Sequence, residues 1–442
     1  MIRRRLSSVY LLITLAVAAA FTTNSANAHG SSANCNPRTY GAKGDGVSKD
    51  TAAIQKAIDA CEQRGGGTVR LIAGTYLSAP IELKSNITLW LDKGATLLGS
   101  SDHADYPPIT EFRRPGLQAL VSATNASNVV IKGEGVIDGA GATWWWIMVP
   151  EKPQPNLATP DAHPKMSTAD PRPRLVVFDH CKHVLVEGIT IQNSPDWQLV
   201  PYYSDDVTIR NIKVLAPAHS SNTDGIDPFS SSNVRIDHVL VDVGDDNIAI
   251  KSGMPDSPGP DDPSRNITIT DCTFLHGHGM SLGSELAGGA MNIRAERIHF
   301  EGTNNGIHVK VNRNRGNDIG PLFFRDIDMK DVLYAVNIGD YYAVAEKVLP
   351  PDGEAAQPVT RLTPRLHNIT IENVTATGSR WAGVIVGLPE APITGVVLRN
   401  IRISAQHGLT IRYADVTGAG VVVEAADGQP ITKLVGAEVS LR

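Results

Sequence analysis

Apolar and polar residues alternate with a period of two in short segments that recur along the chain: "NITLWL" from Asn86, "NVVIKG" from Asn128, "HVLVEG" from His183, "DVTIRN" from Asp206, "NVRIDH" from Asn233, "NITITD" from Asn266, "NITIEN" from Asn368 and "GVVLRN" from Gly395. Weaker copies begin at Asn292 and Pro321. From His183 to Pro321 successive copies lie 23, 27, 33, 26 and 29 residues apart, the length of one solenoid coil rather than of a domain. Each copy is rich in Val and Ile with one face turned inward, and Gly, Asn, Asp and Ser punctuate the turns. A β-sandwich would need hairpin signals every 8 to 12 residues or so. The pattern instead predicts an all-β chain, a single-stranded right-handed parallel β-helix in which each coil stacks on the one before.

One segment breaks the period. "DTAAIQKAIDAC" offers Asp50 or Thr51 as N-cap and places Ile54, Ala57, Ile58 and Cys61 on one apolar helical face. A short helix there would cap the end of the solenoid against edge pairing. Gaps of 55 residues from Asn128 to His183 and 47 from Pro321 to Asn368 predict loops on the coil that wall a groove. The first of these holds Trp144, Trp145 and Trp146, whose rings could stack on sugars or pack the base of the insertion.

The first thirty residues combine Arg3-Arg4-Arg5, an apolar run from about Val9 to Phe21, and the small-residue site Ala26-Asn27-Ala28. This predicts a signal peptide over residues 1–28, cleaved after Ala28, with one catalytic domain over 29–442 that is secreted or periplasmic. The apolar run is shorter than the roughly 20 residues a membrane span needs. Loss of the three arginines deepens a net charge of −6, so the mature chain has no charge-based reason to bind nucleic acid or an anionic membrane. A monomer is expected. Of the four cysteines, Cys35 and Cys61 are candidates to pair, while Cys181 and Cys272 fall in strand-like segments where buried thiols are expected. No Cys/His cluster has the spacing of a structural metal site.

Polar residues that interrupt the strand pattern carry the chemistry. Asp224 lies in "NTDGID", Asp245 and Asp246 in "GDDNIAIKSG", His278 in "GHGMSLGS", and His308 and Lys310 in "NGIHVKVNRNRG". Asp224 to Asp246 spans 22 residues, Asp246 to His278 spans 32, and His278 to Lys310 another 32. Each step is about one coil, so these groups can meet on one face. Like charges at close range raise at least one carboxyl pKa, which leaves a proton available for an acid beside a base. Glycoside hydrolysis needs that pairing. Asp in a solenoid turn often caps backbone amides instead, and Asp227, Asp237 and Asp242 are assigned that role.

"NTDGID", "GDDNIAIKSG", "GHGMSLGSE" and "GIHVK" resemble the four successive motifs of the polygalacturonases, family 28 of the glycoside hydrolases. "YGAKGDGVSKDTAAIQKAIDAC" is similar to the family's opening, and "RPRLVVFDHCKHVLVEGITIQNSPDWQL" to its bacterial branch. The resemblance implies an inverting hydrolase of pectin or polygalacturonate with no metal and no organic cofactor. It implies Asp245 as general acid, Asp224 and Asp246 as the pair that activates water, and His278 beside the acid. Asn222, His308, Lys310 and either Tyr341 or Tyr342 fall at substrate-binding positions, with Lys310 on a substrate carboxylate. The family usually carries Arg-x-Lys where this chain has His308-Val309-Lys310, and histidine cannot form arginine's bidentate fork; Arg313 or Arg315 could reach back to compensate.

The loop-rich insertions imply a groove closed at one end, and hence exo-action on α-1,4-galacturonosidic bonds. His308 motivates an alternative, a hydrolase of rhamnogalacturonan or substituted galacturonan. Calcium-dependent lyase chemistry on the same fold fits the Asp-Asp pair beside Gly-His-Gly poorly. A non-enzymatic β-solenoid adhesin would explain the repeats but not polar residues stacked at one-coil spacing.

Overall fold

The structure is a computed structural model and describes residues 33–145, 171–256, 261–342 and 353–442. The predicted signal peptide, Trp146 and most of the first insertion lie outside the described residues. The chain winds as a parallel β-helix. Val184 pairs with Val207, Val207 with Val234, Val234 with Ile267, Ile267 with Ile293, and Ile293 with Leu322, all in parallel. Those offsets are the repeat spacings, so each copy of the motif is the same strand of the next coil.

The polar residue that opens each copy has a physical task. His183, Asp206, Asn233, Asn266, Asn292 and Asn368 all have φ between 53° and 56°, the left-handed bend that Asn, Asp and His tolerate best among residues with a Cβ. The bend turns the chain into the strand. Neighbouring coils then bond side chain to side chain, Asn266 Nδ2 donating to Asn233 Oδ1 at 3.0 Å and Asn292 Nδ2 to Asn266 Oδ1 at 2.9 Å.

Inward residues of all coils merge into one core running the length of the solenoid, with Val207, Ile236, Ile267, Ile293, Ile307 and Ile369 among those shielded from solvent. Burial contributes about 1.5–3 kcal/mol for each such side chain. The helix spans Thr51–Glu62 and buries Ile54, Ala57, Ile58 and Cys61. Asp50 precedes it without a side-chain cap; its carboxylate instead accepts from the Lys43 and Gly44 amides at 2.7 and 2.9 Å. Cys61 on that helix is disulfide-bonded to Cys35. Cys181 and Cys272 are buried thiols.

One outer face matters for function. Along it Val177 pairs with Val200, bridges at Ile226 and Phe229 carry the pairing through Asp227 to Ala249, and Ser281, His308, Asn337, Val384 and Thr410 continue the same column. The early part of this face is covered. An antiparallel hairpin, Pro108–Glu111 with Arg114–Leu117, turns through Phe112 and Arg113, both left-handed at φ 50° and 63°. Its tip, Phe112, lies 4.2 Å ring to ring from Tyr202 and 5.6 Å from Phe229, in a second apolar cluster with Val177 and Val200. Ion pairs Arg113–Asp261, Arg114–Asp256 and Arg174–Glu111 tie the hairpin down.

Candidate active site

Stacking brings Asp224, Asp245, Asp246, His278, His308 and Lys310 together where the covered part of this face ends. Ser281 pairs with Ala249 on one side and His308 on the other, and Lys310 pairs with Gly283, which fixes the order of the coils. His278 Nδ1 stands 2.9 Å from Asp245 Oδ1. Lys310 Nζ donates to Asp246 Oδ2 at 2.5 Å, and Ser281 Oγ donates to Asp246 Oδ1 at 2.8 Å. Ser281 Oγ also lies 3.0 Å from His308 Nδ1. Gly277 and Gly279 flank His278 for a steric reason: a Cβ on the first would meet the Asp245 carbonyl at 2.5 Å and on the second the Asn305 carbonyl at 1.9 Å.

Burial and charge push these groups apart. Burial and the neighbouring Asp245 drive the Asp224 carboxyl up to about 8. Burial opposes ionisation of Asp245 too, but the His278 charge and hydrogen bond overcome it and hold that carboxyl below its usual range. Asp246 is likewise lowered against its burial, by Lys310. Burial would lower His278, yet Asp245 carries it up to about 9. His308 falls to about 3 through burial and Lys310, so it is a neutral imidazole. Near neutral pH these shifts leave Asp245 and Asp246 ionised and Asp224 and His278 protonated. Separated ionisation among neighbouring carboxyls is what acid–base work requires.

Asp227 does not cap a turn. It is fully buried beside Asp224, both its oxygens lack a hydrogen-bond partner, and burial with the Asp224 charge raises it well above the ordinary carboxylate range. The turn-cap assignment failed because the residue falls on the outward column of a strand rather than in the loop before it. Asp237 bonds Thr270 and Asp242 stands against His276, both on outer surfaces.

The expected substrate-binding residues are largely engaged with the protein. Asn222 Oδ1 accepts from Arg172 Nη2 at 2.8 Å. Lys310 is on Asp246 rather than free. The Tyr342 ring is 5.4 Å from Lys310 Nζ, whereas Tyr341 hydrogen-bonds Glu354 and lies against Arg313 and Arg412. Neither Arg313 nor Arg315 reaches back to His308: Arg313 pairs with Glu354 and Glu390, and Arg315 with Glu285.

Three residues escaped the sequence reading. Lys251 is buried with Nζ 3.5 Å from Asp224 Oδ2, 3.6 Å from Glu285 Oε2 and 4.8 Å from the Trp197 ring. Arg172 donates to the Pro195 and Ser221 carbonyls as well as to Asn222, clamping the turn that leads to Asp224. Asn247 donates to the Val241, Leu275 and His276 carbonyls and accepts from Gly279 N, which fixes the His278 turn against Asp245. Lys251 and Asn247 sit in the quoted "GDDNIAIKSG", and a basic residue at strand parity with Lys310 was the available signal.

Asp245, Asp246 and His278 offer atoms within 4.8 Å of one another, as do Asp237, His238 and Asp271 on an outer surface. In the first trio Lys310 and the His278 ring already meet the carboxylate charge; in the second Arg297 grips Asp271.

The profile described as Glycosyl hydrolases family 28 matches residues 61–420, well over half of the chain. An "Endo-polygalacturonase" of Pectobacterium carotovorum subsp. carotovorum is 29% identical over 385 residues, 83% of this chain and 87% of that protein. An "Exo-poly-alpha-D-galacturonosidase" of Dickeya chrysanthemi is 28% identical over 392 residues, 79% of this chain and 63% of its own length. The crystal structure of an exopolygalacturonase from Thermotoga maritima superposes with a TM-score of 0.71 at 25% identity, covering 91% of both chains.

Proposed function

The chain belongs to family 28 of the glycosyl hydrolases, and on that premise we propose that it is an exported enzyme that hydrolyses α-1,4-galacturonosidic bonds of polygalacturonate with inversion, releasing sugars from a chain end. The observation that carries the reading is the stacking of three carboxyls with His278 and Lys310, with Asp245 on His278 at 2.9 Å and Asp246 on Lys310 at 2.5 Å. Asp246, kept ionised by Lys310, takes a proton from water, and the buried Asp224 Oδ1, which has no partner of its own, is free to orient that water. The water oxygen bonds the anomeric carbon as the glycosidic bond breaks. The His278 proton, 2.9 Å away, passes to Asp245 and from it to the leaving oxygen, so that His278 ends neutral and Asp245 is again a carboxylate.

Inversion is usually accompanied by carboxyl groups about 6.5–9.5 Å apart. Asp245 and Asp246 have atoms within 4.8 Å, so spacing alone does not carry this point, and the anomer of the first product, read by proton NMR, decides it. Exo-action is supported by the hairpin over the early coils, where Phe112 stacks 5.9 Å from Trp197 and covers the apolar face. The first products from polygalacturonate should be one or two sugars long; a ladder of intermediate oligomers would overturn exo-action. Arg3-Arg4-Arg5 and the apolar run behind it support export, and residues 29–442 are proposed as one catalytic domain.

A further inference from the structure

Resting on that hydrolase reading, we infer that the sugar lying over His308, directly beyond the cleaved bond, is accepted in an uncharged form, as a methyl-esterified uronate or a neutral sugar, in preference to an ionised galacturonate. The reason is a census of charge around the bond. Lys310 is 2.5 Å from Asp246, with side chains only 8% and 1% exposed; drawing it onto a substrate carboxylate would strand Asp246 as a buried, uncompensated charge. Lys251 is divided between Asp224 and Glu285. Arg313 and Arg315 are held by three glutamates.

His308 itself brings no charge. It is buried beside Ser281, whose hydroxyl it shares with Asp246, and an imidazole held neutral there cannot neutralise an anion. The next residues on its column are Asn337, Val384 and Thr410, none of them ionisable. Along the Lys310 column, among the described residues, the next charge is Arg412, three coils on and roughly 14 Å away at 4.8 Å per coil. Arg412 is 2% exposed, and its Nε and Nη2 have no hydrogen-bond partner among the described residues. A free carboxylate over His308 would thus lose its water without gaining an unpaired cation, since His278 is held by Asp245 at 2.9 Å as Lys310 is by Asp246, whereas a methyl ester there loses little.

The test uses the full-length enzyme and two trigalacturonates that differ at the second sugar alone, one with a free carboxylate and one with a methyl ester. The expected kcat/KM is at least about tenfold higher for the ester, the size of discrimination that one mismatched group at a closed subsite gives. His308→Arg should reverse the order by adding a cation at that point. Equal rates, or faster cleavage of the free acid by the unaltered enzyme, would overturn the inference and leave the hydrolase standing. No cleavage of either trimer or of polygalacturonate would remove the hydrolase reading and this inference together.

Discussion

The same outer face of the solenoid is built in two ways on either side of the aspartates. On the early coils it is apolar: Val177, Val200, Tyr202 and Phe229 are at most 6% exposed, because Phe112 and its hairpin are packed on them. On the later coils Asn337 and Thr410 remain partly exposed, flanked by a stack in which Tyr334 lies 5.9 Å from Trp381 and Trp381 4.1 Å from His407. An apolar face must be covered, and a polar one can stay wet. A groove that ends, as the proposed exo-action requires, can be obtained without altering the coil, by changing which residues point outward and adding one hairpin. The proposed catalytic groups sit at the border, with Asp224 on the last covered side and Asp246 paired to Lys310 on the other.

That border can be broken in two contrasting ways with the same loss of activity. Asp224→Asn and Asp246→Asn should each lower kcat by about 10³-fold, in the range of a lost acid or base. Their stabilities should diverge. The Asp224 carboxyl, raised to about 8 when folded, costs stability increasingly as pH rises from about 4 toward 8, and an amide carries no such cost. At pH 7 its variant should melt at or above the unaltered protein. Asp246 is lowered by Lys310, and its amide would leave that ammonium buried alone, a penalty of about 3–5 kcal/mol. Thermal unfolding alongside a reducing-sugar assay reads both. Equal melting temperatures would mean that the protons are not distributed as described.

Removing the cover is the next largest change. Replacing Pro108–Leu117 with a short Gly-Ser link should let a polymer run past the aspartates, so that intermediate oligomers are found among the first products separated by size. Phe112 would no longer shield Tyr202 and Phe229, so Phe112→Asp in the intact hairpin gives a check that adds no aggregation-prone patch. If end products stay at one or two sugars after the hairpin is gone, another part of the chain closes the groove.

The repeat was legible because it is physical twice over: period-two burial marks the strand, and a left-handed bend marks its start, so Asn266 or Asn292 announces a coil before any contact is known. Coil spacing then placed Asp224, Asp246, His278 and Lys310 on one face. The hairpin was missed since its turn residues are Phe112 and Arg113, not the Asn-Gly pair that usually signals two left-handed positions. Its conformation is held by tertiary contacts, the burial of Phe112 and the Arg113–Asp261 pair. Asp227 was misread for a related reason: composition shows an Asp near a turn, while only register shows that it faces outward between Val200 and Ala249.

The finest test of the two-sided face concerns His308, the first residue of the open side. Its imidazole is lowered to about 3 in the folded chain by burial and by Lys310, with Asp246 opposing and His278 adding to the effect. An unfolded histidine titrates near 6.5 or so. Between those values the unfolded chain binds a proton that the folded chain refuses, so His308 costs stability progressively as pH falls below about 6.5. His308→Gln keeps a hydrogen-bonding side chain near Ser281 and removes the titration. The difference in unfolding free energy between variant and unaltered enzyme should be flat above about pH 7 and move in the variant's favour below it, by about 3 kcal/mol at pH 4.5. A difference that does not change with pH would mean that His308 titrates alike in the folded and unfolded chain, so that below about pH 6.5 it would bring a cation to the proposed subsite.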